Sequence, residues 1–206
     1  MFKNRRDAAQ KMQSLVTEYR GDIDIVLGIP RGGIEIGLEI AKQLNCPFKL
    51  INVRKLADAA NPEVALGAVT DASSWVHQQL ADRYDSTEAE AMEREARLKL
   101  AELSDRYGHQ VELEDLKNKG VLLTDDGAAT GATLTAAVHA LREAGANPVG
   151  IAVPVASVEA ISLLEDQADF TLALETPLGF IAVSDYYQDF HQVSDHEIQQ
   201  MLTRLD

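Results

Sequence analysis

The amino-acid sequence predicts an α/β fold, with a doubly wound, mostly parallel sheet that carries helices on both faces. Short apolar segments, too brief for helices, alternate along the chain with longer segments whose apolar residues recur at helical spacing. Two of the apolar segments lead directly into a Gly-rich loop and a helix, at residues 28–33 and 125–133. Because strand–helix–strand connections are right-handed, this alternation favours a parallel sheet.

The first half of the chain contains one strand–helix–strand unit, preceded by an amphipathic helix. Glycine and proline end several of these segments, since neither continues a helix or a buried strand well. The predicted elements are a helix at 4–20, a strand at 23–29, a helix from the Gly-rich loop to about residue 45, and a strand at 48–53.

Residues 57–117 are interpreted as a region inserted between the two halves of the sheet. A loop is expected near 56–63. Two short extended segments between residues 64 and 77, joined near 71–73, are expected to pair as a hairpin beside the main sheet. A long helix follows, from a capping box of Thr87 and Glu90 to about Tyr107. Its acidic residues stand four positions before basic ones, which is the favoured order for ion pairs on a solvated helix.

The second half repeats the strand–helix alternation and ends in a separate segment. Strands are predicted at 121–123, 148–155 and 170–174, and the first two are each followed by a helix. Ser157 is placed to cap the helix that follows the second of these strands, and Ser194 and Glu197 form a capping box for a last helix. We expect one domain over residues 1–206, with a C-terminal hood and helix at about 178–206.

The most informative pattern is a strand that ends in two acids, a small-residue loop and then a helix. The free N–H groups and the positive dipole end of that helix suit a phosphate at 129–133, where Thr130 and Thr133 add hydroxyl donors. Asp125 and Asp126 would repel a phosphate that lay on them. A 5-phosphorylated ribose resolves the conflict, because the acids then accept hydrogen bonds from its cis-diol.

A second Gly-rich loop is expected at the same edge of the sheet. Ligands of open α/β sheets bind at the carboxyl ends of the strands, where the strand order reverses. If the two strands are neighbours, this loop can hold a pyrophosphate, with Arg31 as a bidentate clamp and the bare amides of Gly32 and Gly33 close to the ligand. Arg54 and Lys55 leave the next strand at the same edge.

These motifs resemble those of type I phosphoribosyltransferases. Asp125-Asp126, two small residues and the segment Ala-Thr-Gly-Ala-Thr are similar to the family's phosphoribosyl-pyrophosphate motif. Pro-Arg-Gly-Gly at 30–33 is similar to its pyrophosphate loop, which often holds an unusual cis peptide. With the further segments VRKL, NPE-x-A-x-GAV and YYxDFxQVSD, the chain most resembles a group of predicted bacterial phosphoribosyltransferases without an established acceptor.

The resemblance implies transfer of 5-phosphoribosyl from phosphoribosyl pyrophosphate to a nitrogenous base or related nucleophile, with release of pyrophosphate. It implies Mg²⁺ held by pyrophosphate and ribose oxygens, which Asp125 and Asp126 reach mainly through water. Catalytic roles are expected for Asp125, Asp126, Arg31 and Lys55. The expected substrate-binding residues are Pro30, Arg31, Gly32, Gly33, Arg54, Lys55, Asp125, Asp126, Gly127, Ala128, Ala129, Thr130, Gly131, Ala132 and Thr133.

The acceptor is constrained only weakly by the sequence. Hypoxanthine-guanine enzymes of the family carry an acid where this chain has Ala129, which argues against that substrate class. A hood over the acceptor is expected from the hairpin at 64–78 together with Tyr186, Tyr187 and Phe190, whose rings could stack on a flat acceptor. Core packing or an oligomer contact is the competing interpretation of these rings.

Composition excludes several classes of partner. A formal net charge of −14 disfavours nucleic acid and anionic membranes as partners. The single cysteine, Cys46, and the lack of a signal peptide or apolar span predict a cytoplasmic protein of nucleotide metabolism. Small molecules are the expected partners, and a homodimer is left open.

Two other functions compete with transfer. A non-catalytic regulatory protein that binds phosphoribosyl pyrophosphate or a nucleotide would keep the same motifs, although such regulators usually add a DNA-binding domain or a basic face. A dinucleotide-dependent oxidoreductase would need a G-x-G-x-x-G turn after the first strand, which residues 28–33 do not supply.

Overall fold

Eight strands and seven α-helices are formed by the residues that the computed structural model describes, which are 1–57, 65–70, 74–76 and 83–203. The strands are β1 (Ile25–Gly28), β2 (Phe48–Leu50), β3 (Arg54–Ala57), β4 (Ala65–Val69), β5 (Ser74–Val76), β6 (Val121–Thr124), β7 (Val149–Val155) and β8 (Phe170–Glu175). The helices are α1 (Arg5–Lys11), α2 (Gln13–Glu18), α3 (Gly32–Leu44), α4 (Ser86–Tyr107), α5 (Ala132–Glu143), α6 (Val158–Glu165) and α7 (Asp195–Leu202).

The main sheet has the strand order β2-β1-β6-β7-β8, and all of its paired strands are parallel. The chain moves outward from β1 to β2 on one side and from β6 to β8 on the other. The strand order therefore reverses between β1 and β6, whose last residues, Gly28 and Thr124, are register partners. Loops that leave these two strands must meet at the carboxyl edge of the sheet, as the sequence predicted.

The two faces of the sheet are buried by different helices. In β6, Leu122 packs into one core cluster, whereas Val121 and Leu123 pack into a second, because neighbouring side chains of a strand point to opposite faces. The first cluster contains Met12, Val16, Ile36 and Ile40 from α1 to α3. The second contains Leu134, Val138, Leu141 and Leu164 from α5 and α6. The predicted doubly wound fold is thus confirmed.

A small antiparallel sheet of order β3-β4-β5 follows the first unit. The predicted strand at 48–53 ends at Leu50 in the main sheet, and the chain from Arg54 onward pairs with the hairpin instead. The small sheet contacts α4 and α5. The predicted hairpin is confirmed for β4 and β5, while the loop expected near 56–63 lies mostly, and the turn at 71–73 wholly, outside the described residues.

The predicted caps at Ser157 and Ser194 are confirmed, and the predicted cap of the long helix is wrong. The side chains of Ser157 and Ser194 cap α6 and α7, and Glu197 completes the second capping box. The long helix α4 instead uses Asp85 and Glu88, two positions before the predicted Thr87 and Glu90. Both pairs fit the same pattern, so local sequence does not choose between them.

The N-terminal and C-terminal segments lie side by side. The predicted helix at 4–20 is divided at Met12 into α1 and α2. Phe2 forms a parallel bridge with Tyr187, and its backbone amide donates to the carbonyl of Tyr186 at 2.7 Å. None of the helices in the described part of the chain has both the length and the apolar character to cross a bilayer.

Candidate functional site

The loops after β1 and β6 are held together at the carboxyl edge of the sheet. The Thr124 hydroxyl lies 3.1 Å from the Gly33 carbonyl oxygen and 3.2 Å from that of Leu27. A Cβ atom at Gly32 would overlap the Asp126 carboxylate, and one at Gly33 would overlap the carbonyl oxygen of Thr124. The glycines therefore permit the close approach of the two loops. In the loop after β1, the peptide bond between Pro30 and Arg31 is cis.

The second loop delivers the head of α5 to this edge. Gly131 precedes the helix with a φ of 73°, in the left-handed region that favours glycine. The loop is anchored to the start of α6, since the Ser157 hydroxyl donates to the carbonyl of Ala129 at 2.7 Å. Ala129 and Thr130 are exposed and Thr133 is half-buried at this helix N-terminus, where the Thr130 hydroxyl accepts from the Ala132 amide at 3.4 Å. The N-terminus of a helix suits an anion.

Asp125 lies at this edge without a side-chain counter-ion. Its Oδ1 accepts from the backbone amide of Asp126 at 2.9 Å, and among the described residues no side-chain cation lies within ion-pair distance of it. Burial, and then the neighbouring charge of Asp126, raise the pKa of the Asp125 carboxyl well above its usual range. This carboxylate is therefore the less compensated member of the pair.

Asp126 is paired inside the protein. Its Oδ2 accepts from Nε of Arg5 at 2.8 Å, and the side chains of Arg5 and Asp126 are 6% and 16% exposed. Burial raises the pKa of Asp126, and the charge and hydrogen bond of Arg5 oppose that rise. The Tyr187 hydroxyl donates to the Asp126 carbonyl oxygen at 2.6 Å, which fixes the backbone at the same residue.

Arg31 is bonded to the C-terminal segment. Its Nη1 donates to the carbonyl of Val193 at 3.0 Å, and its Nη2 lies 3.0 Å from Oδ1 of Asp195. Asp195 also accepts from the Tyr107 hydroxyl at 2.7 Å and pairs with Arg106 at 3.2 Å. The side chain predicted as a pyrophosphate clamp thus holds the loop after β1 against α7 and the end of α4.

Two clefts open beside Arg31, which lines both. The large cleft, of about 580 Å³, is lined by Ile29, Pro30, Arg31, Asn52, Val53, Arg54, Lys55, Leu56, Met92, Glu95, Ala96, Lys99, Asp125 and Thr133. The small cleft, of about 490 Å³, is lined by Arg5, Arg31, Asp126, Val183, Phe190, Gln192 and Val193. The large cleft brings together cations from two predicted segments with the first aspartate and a motif threonine.

The aromatic residues predicted as part of a hood are largely packed against protein. Tyr187 is buried, and its ring centroid lies 5.3 Å from that of Phe2 and 5.0 Å from that of Phe190. Tyr186 stacks on Phe180 at 5.6 Å. Of the three predicted rings, Phe190 is the one that lines the small cleft. The hairpin, the other predicted part of the hood, packs on α5.

The carboxylates fit a magnesium ion that is held mainly by other ligands. Among the described residues, no group of three or more His, Cys, Asp and Glu side chains could hold a metal ion. Mg²⁺ usually takes one or two carboxylates and completes its shell with water and substrate phosphate oxygens. Asp125 lines the large cleft and Asp126 the small one, so these neighbouring residues could supply one or two such carboxylates.

The partners of the Asp126 carboxylate and of the Arg31 guanidinium were not predicted from the sequence: Arg5, Val193 and Asp195. Arg5 did have a signal, because it stands on the same helical face as the buried residues Ala8, Ala9 and Met12. A charged residue on the apolar face of a helix usually has a buried partner. The other two contact Arg31 from more than 160 positions away, a pairing that no local pattern encodes.

Comparisons with known proteins agree with this geometry. Residues 2–191 match the family model described as a phosphoribosyl transferase domain. Two curated Mycobacterium tuberculosis proteins, each named "Putative phosphoribosyl transferase", are 33% identical over 207 residues, which cover 99% of this chain and 47% of each relative. The chain therefore spans about half the length of the curated relatives it matches.

Two solved structures are similar to this chain in fold. The crystal structure of a Thermus thermophilus protein has a TM-score of 0.89 and 33% identity, covering 99% of this chain and 98% of that one. The adenine phosphoribosyltransferase of Leishmania tarentolae, at 14% identity and a TM-score of 0.50, covers 88% of this chain and 76% of its own and shares the fold. With loops, aspartate pair and family model in agreement, this chain belongs to the phosphoribosyl transferase domain family, of type I.

Proposed function

We propose that this protein transfers the 5-phosphoribosyl group of phosphoribosyl pyrophosphate to a nitrogenous base or related nucleophile and releases pyrophosphate. The observation that carries the proposal is the meeting of two loops at the point where the strand order reverses. One loop offers a helix head for a phosphate, and the other approaches so closely that Gly32 has no room for a side chain beside Asp126. A ligand with two separate anionic groups and a sugar between them suits this arrangement.

In the proposed complex, the 5-phosphate binds the amides and hydroxyls of residues 129–133 at the head of α5. The ribose hydroxyls donate to Asp125 and Asp126. The pyrophosphate lies in the large cleft, against the backbone of residues 30–33 and the side chains of Arg54 and Lys55. Arg31 reaches the pyrophosphate after exchanging Asp195 for a ligand oxygen, since both are anions of similar hydrogen-bonding geometry.

The reaction breaks the bond from C1 of the ribose to a pyrophosphate oxygen, which keeps the electron pair. A lone pair of the acceptor nitrogen forms the new bond at C1, and the proton on that nitrogen is lost to water. Positive charge develops on the sugar as the leaving group departs, so the carboxylates of Asp125 and Asp126 stabilise the transition state electrostatically. Bound Mg²⁺ would neutralise charge on the leaving pyrophosphate, and Asp125 and Asp126 would hold it through water. Arg31 and Lys55 stabilise the same leaving group.

The acceptor is proposed to enter the small cleft, which is lined by Asp126 and shares Arg31 with the large cleft. Phe190 and Val183 give this cleft apolar walls, and Gln192 offers an amide for hydrogen bonds. Gly127 contributes to its shape, because a Cβ there would lie 2.6 Å from Cγ1 of Val183. Ala129 in place of an acid is unfavourable for a hypoxanthine-guanine acceptor, as the family resemblance implies.

The test is a turnover assay with the donor, Mg²⁺ and a panel of purine, pyrimidine and carboxylated heterocyclic bases. Pyrophosphate release and the nucleotide product, identified by mass spectrometry, should appear together with at least one acceptor. Asp125→Asn should abolish both signals, whereas Arg6→Met, at an exposed site on α1, should retain them. Donor binding by calorimetry without any product across the panel would favour the non-catalytic regulatory alternative.

We also propose a cytoplasmic protein whose partners are small molecules. The net charge of −14 and the single cysteine support this setting and disfavour nucleic acid and membrane surfaces. One domain with the inserted region at 57–117 and the C-terminal hood at 178–206 is the proposed organisation. Light scattering of the purified chain tests whether it forms a homodimer.

A further inference from the structure

Arg5 is a buried cation at the start of α1, far in sequence from the predicted site. It is 5% exposed, and its guanidinium makes three contacts. Its Nε bonds Oδ2 of Asp126 at 2.8 Å, its Nη1 donates to the carbonyl of His191 at 2.9 Å, and its carbon Cζ lies 4.1 Å from the centroid of the Phe190 ring. The side chain is thus fixed from three directions.

Burying an arginine is costly unless its charge and its N–H groups are satisfied. The contacts of Arg5 supply a carboxylate, a carbonyl oxygen and an aromatic face, which is a compensated environment. The planar guanidinium also restricts the position of the carboxylate, because its donors lie in a fixed fork. Arg5 therefore determines where Asp126 can place its oxygens, not merely whether that residue is charged.

The contact uses one oxygen of Asp126. Among the described side chains, Arg5 is the one that bonds this carboxylate, and it does so through Oδ2. The backbone of Asp126 is fixed separately by the Tyr187 hydroxyl. With its backbone and Oδ2 both held, the carboxylate of Asp126, which lines the small cleft, has a defined position, and Oδ1 is the oxygen that we expect to accept from a ribose hydroxyl.

We infer that Arg5 is a positioning residue of the sugar site, which orients Asp126 for the ribose without touching the donor itself. The inference rests on the proposed function and assigns to the N-terminal helix a role at a site formed by distant loops. Arg5 links α1, the motif loop and the segment at His191, so that these three parts of the chain define one carboxylate position.

The first experiment compares Arg5→Met with Arg6→Met. Arg6 is the adjacent residue of the same helix, 60% exposed and paired with Glu39 at 3.3 Å, and is thus a matched control. We expect Arg5→Met to lower kcat/KM for the donor by about 10- to 100-fold, since misplacing a group by about 1 Å has effects of this size. Arg6→Met, at a residue that lines neither cleft, should stay within about twofold of wild type.

The second experiment distinguishes positioning from a general structural role. Arg5→Met is introduced into wild type and into Asp126→Asn, and folding of each variant is checked by thermal unfolding. If Arg5 acts through Asp126, its replacement reduces kcat/KM in wild type and has little further effect in the Asp126→Asn background. An equal fold-loss in both backgrounds overturns the inference. If Arg5→Met does not fold, the same cycle is run with Arg5→Lys, which keeps the charge without the fork.

Different outcomes would overturn the proposed function and the positioning role of Arg5. A wild-type protein that neither binds phosphoribosyl pyrophosphate with Mg²⁺ nor turns it over removes the proposed function, and with it this inference. An active wild type whose donor kinetics are unaffected by Arg5→Met overturns the inference alone.

Discussion

The two clefts beside Arg31 differ in how their charges are balanced. In the small cleft, Arg5 and Arg31 are each paired with a carboxylate of the protein, Asp126 and Asp195. In the large cleft, Asp125 has backbone donors but no ion-pair partner among the described residues, and burial, followed by the charge of Asp126, raises its pKa well above the usual range. The arginines of the small cleft are therefore paired with carboxylates of the protein, whereas Asp125 of the large cleft has no such partner among the described residues.

The difference separates two adjacent aspartates that look equivalent in the sequence. Asp126 contributes to folding through Arg5, and its position is set by the protein. The charge of Asp125 is disfavoured by burial and by Asp126 in the folded protein, and we expect hydroxyl donors or a hydrated cation of the proposed ligand to stabilise it. A site that binds a polyhydroxyl ligand benefits from this division, because one carboxylate is prearranged and the other is available.

The largest expected effect is the loss of activity in Asp125→Asn. The amide cannot stabilise positive charge on the sugar, and removal of one prearranged electrostatic group typically lowers kcat by about 10²- to 10³-fold. Pyrophosphate release under saturating donor measures this. Activity within a few-fold of wild type would show that the uncompensated carboxylate has no part in the reaction.

The second prediction concerns the stability of Asp126→Asn. This change leaves Arg5 buried without a countercharge, although the amide oxygen can still accept its hydrogen bond. We expect the free energy of unfolding to fall by about 2 kcal/mol, below the roughly 3–5 kcal/mol for complete loss of one partner of a buried ion pair. Urea unfolding at neutral pH is the measurement, and an unchanged midpoint would contradict the pairing.

The third prediction is a gain in stability for Asp125→Asn, in contrast to the loss expected for Asp126→Asn. Asp125→Asn removes a poorly compensated charge beside Asp126, so the variant should be more stable than wild type by about 1 kcal/mol, in the range of gains seen when functional strain is relieved. Because the pKa of Asp125 is raised in the folded state, its ionisation destabilises the fold as pH rises through that pKa. The gain should therefore be present at neutral pH and absent in acid.

These expectations also show what the sequence can and cannot predict. The parallel sheet, the loop positions and the caps at Ser157 and Ser194 follow from periodicity and local chemistry, and the structure confirms them. The predicted cap of α4 was wrong because two overlapping capping boxes, starting at Asp85 and Thr87, are locally equivalent. Only packing chooses between such alternatives.

The candidate site was predictable to a different extent. The residues predicted to bind the ligand stand in contiguous motifs, and the large cleft contains members of all three predicted segments. The residues that balance its charges are distant in sequence: Arg5 bonds a residue 121 positions away, and Arg31 bonds one 162 positions away. Such pairs are set by tertiary structure, so residue patterns alone predicted the two aspartates as equivalent.

A smaller effect is expected from Asp195→Asn. The change weakens the exposed ion pair that holds Arg31, and such pairs contribute about 1 kcal/mol or less. Arg31 then exchanges more readily to pyrophosphate, so the KM for the donor should fall by about two- to fivefold. Initial rates at low ionic strength test this. A higher KM would mean that Asp195 orients Arg31 for the ligand and does not compete with it.

The smallest expected effect is a pH dependence of stability at His191. Its ring nitrogens lie 3.0 Å from Asp189 and 3.1 Å from Glu197, and the hydrogen bond to Asp189, followed by that to Glu197, raises the pKa of His191 above its usual 6.5. A raised histidine pKa stabilises the fold below the unfolded pKa, and this contribution is lost as pH rises through the folded pKa.

His191→Gln should therefore be less stable than wild type in mild acid and indistinguishable from it at alkaline pH. Thermal unfolding of both proteins across that range gives the comparison. A difference that persists undiminished at high pH would point to neutral hydrogen bonds of His191 in place of its charge.

The most direct test of the account is a crystal structure of the protein with phosphoribosyl pyrophosphate and Mg²⁺. We predict the 5-phosphate at the head of α5, the ribose hydroxyls on Asp125 and on Oδ1 of Asp126, and the pyrophosphate in the large cleft against residues 30–33, with Arg5 still bonded to Oδ2. A ribose bound away from both carboxylates, or a pyrophosphate found outside the large cleft, would contradict this account.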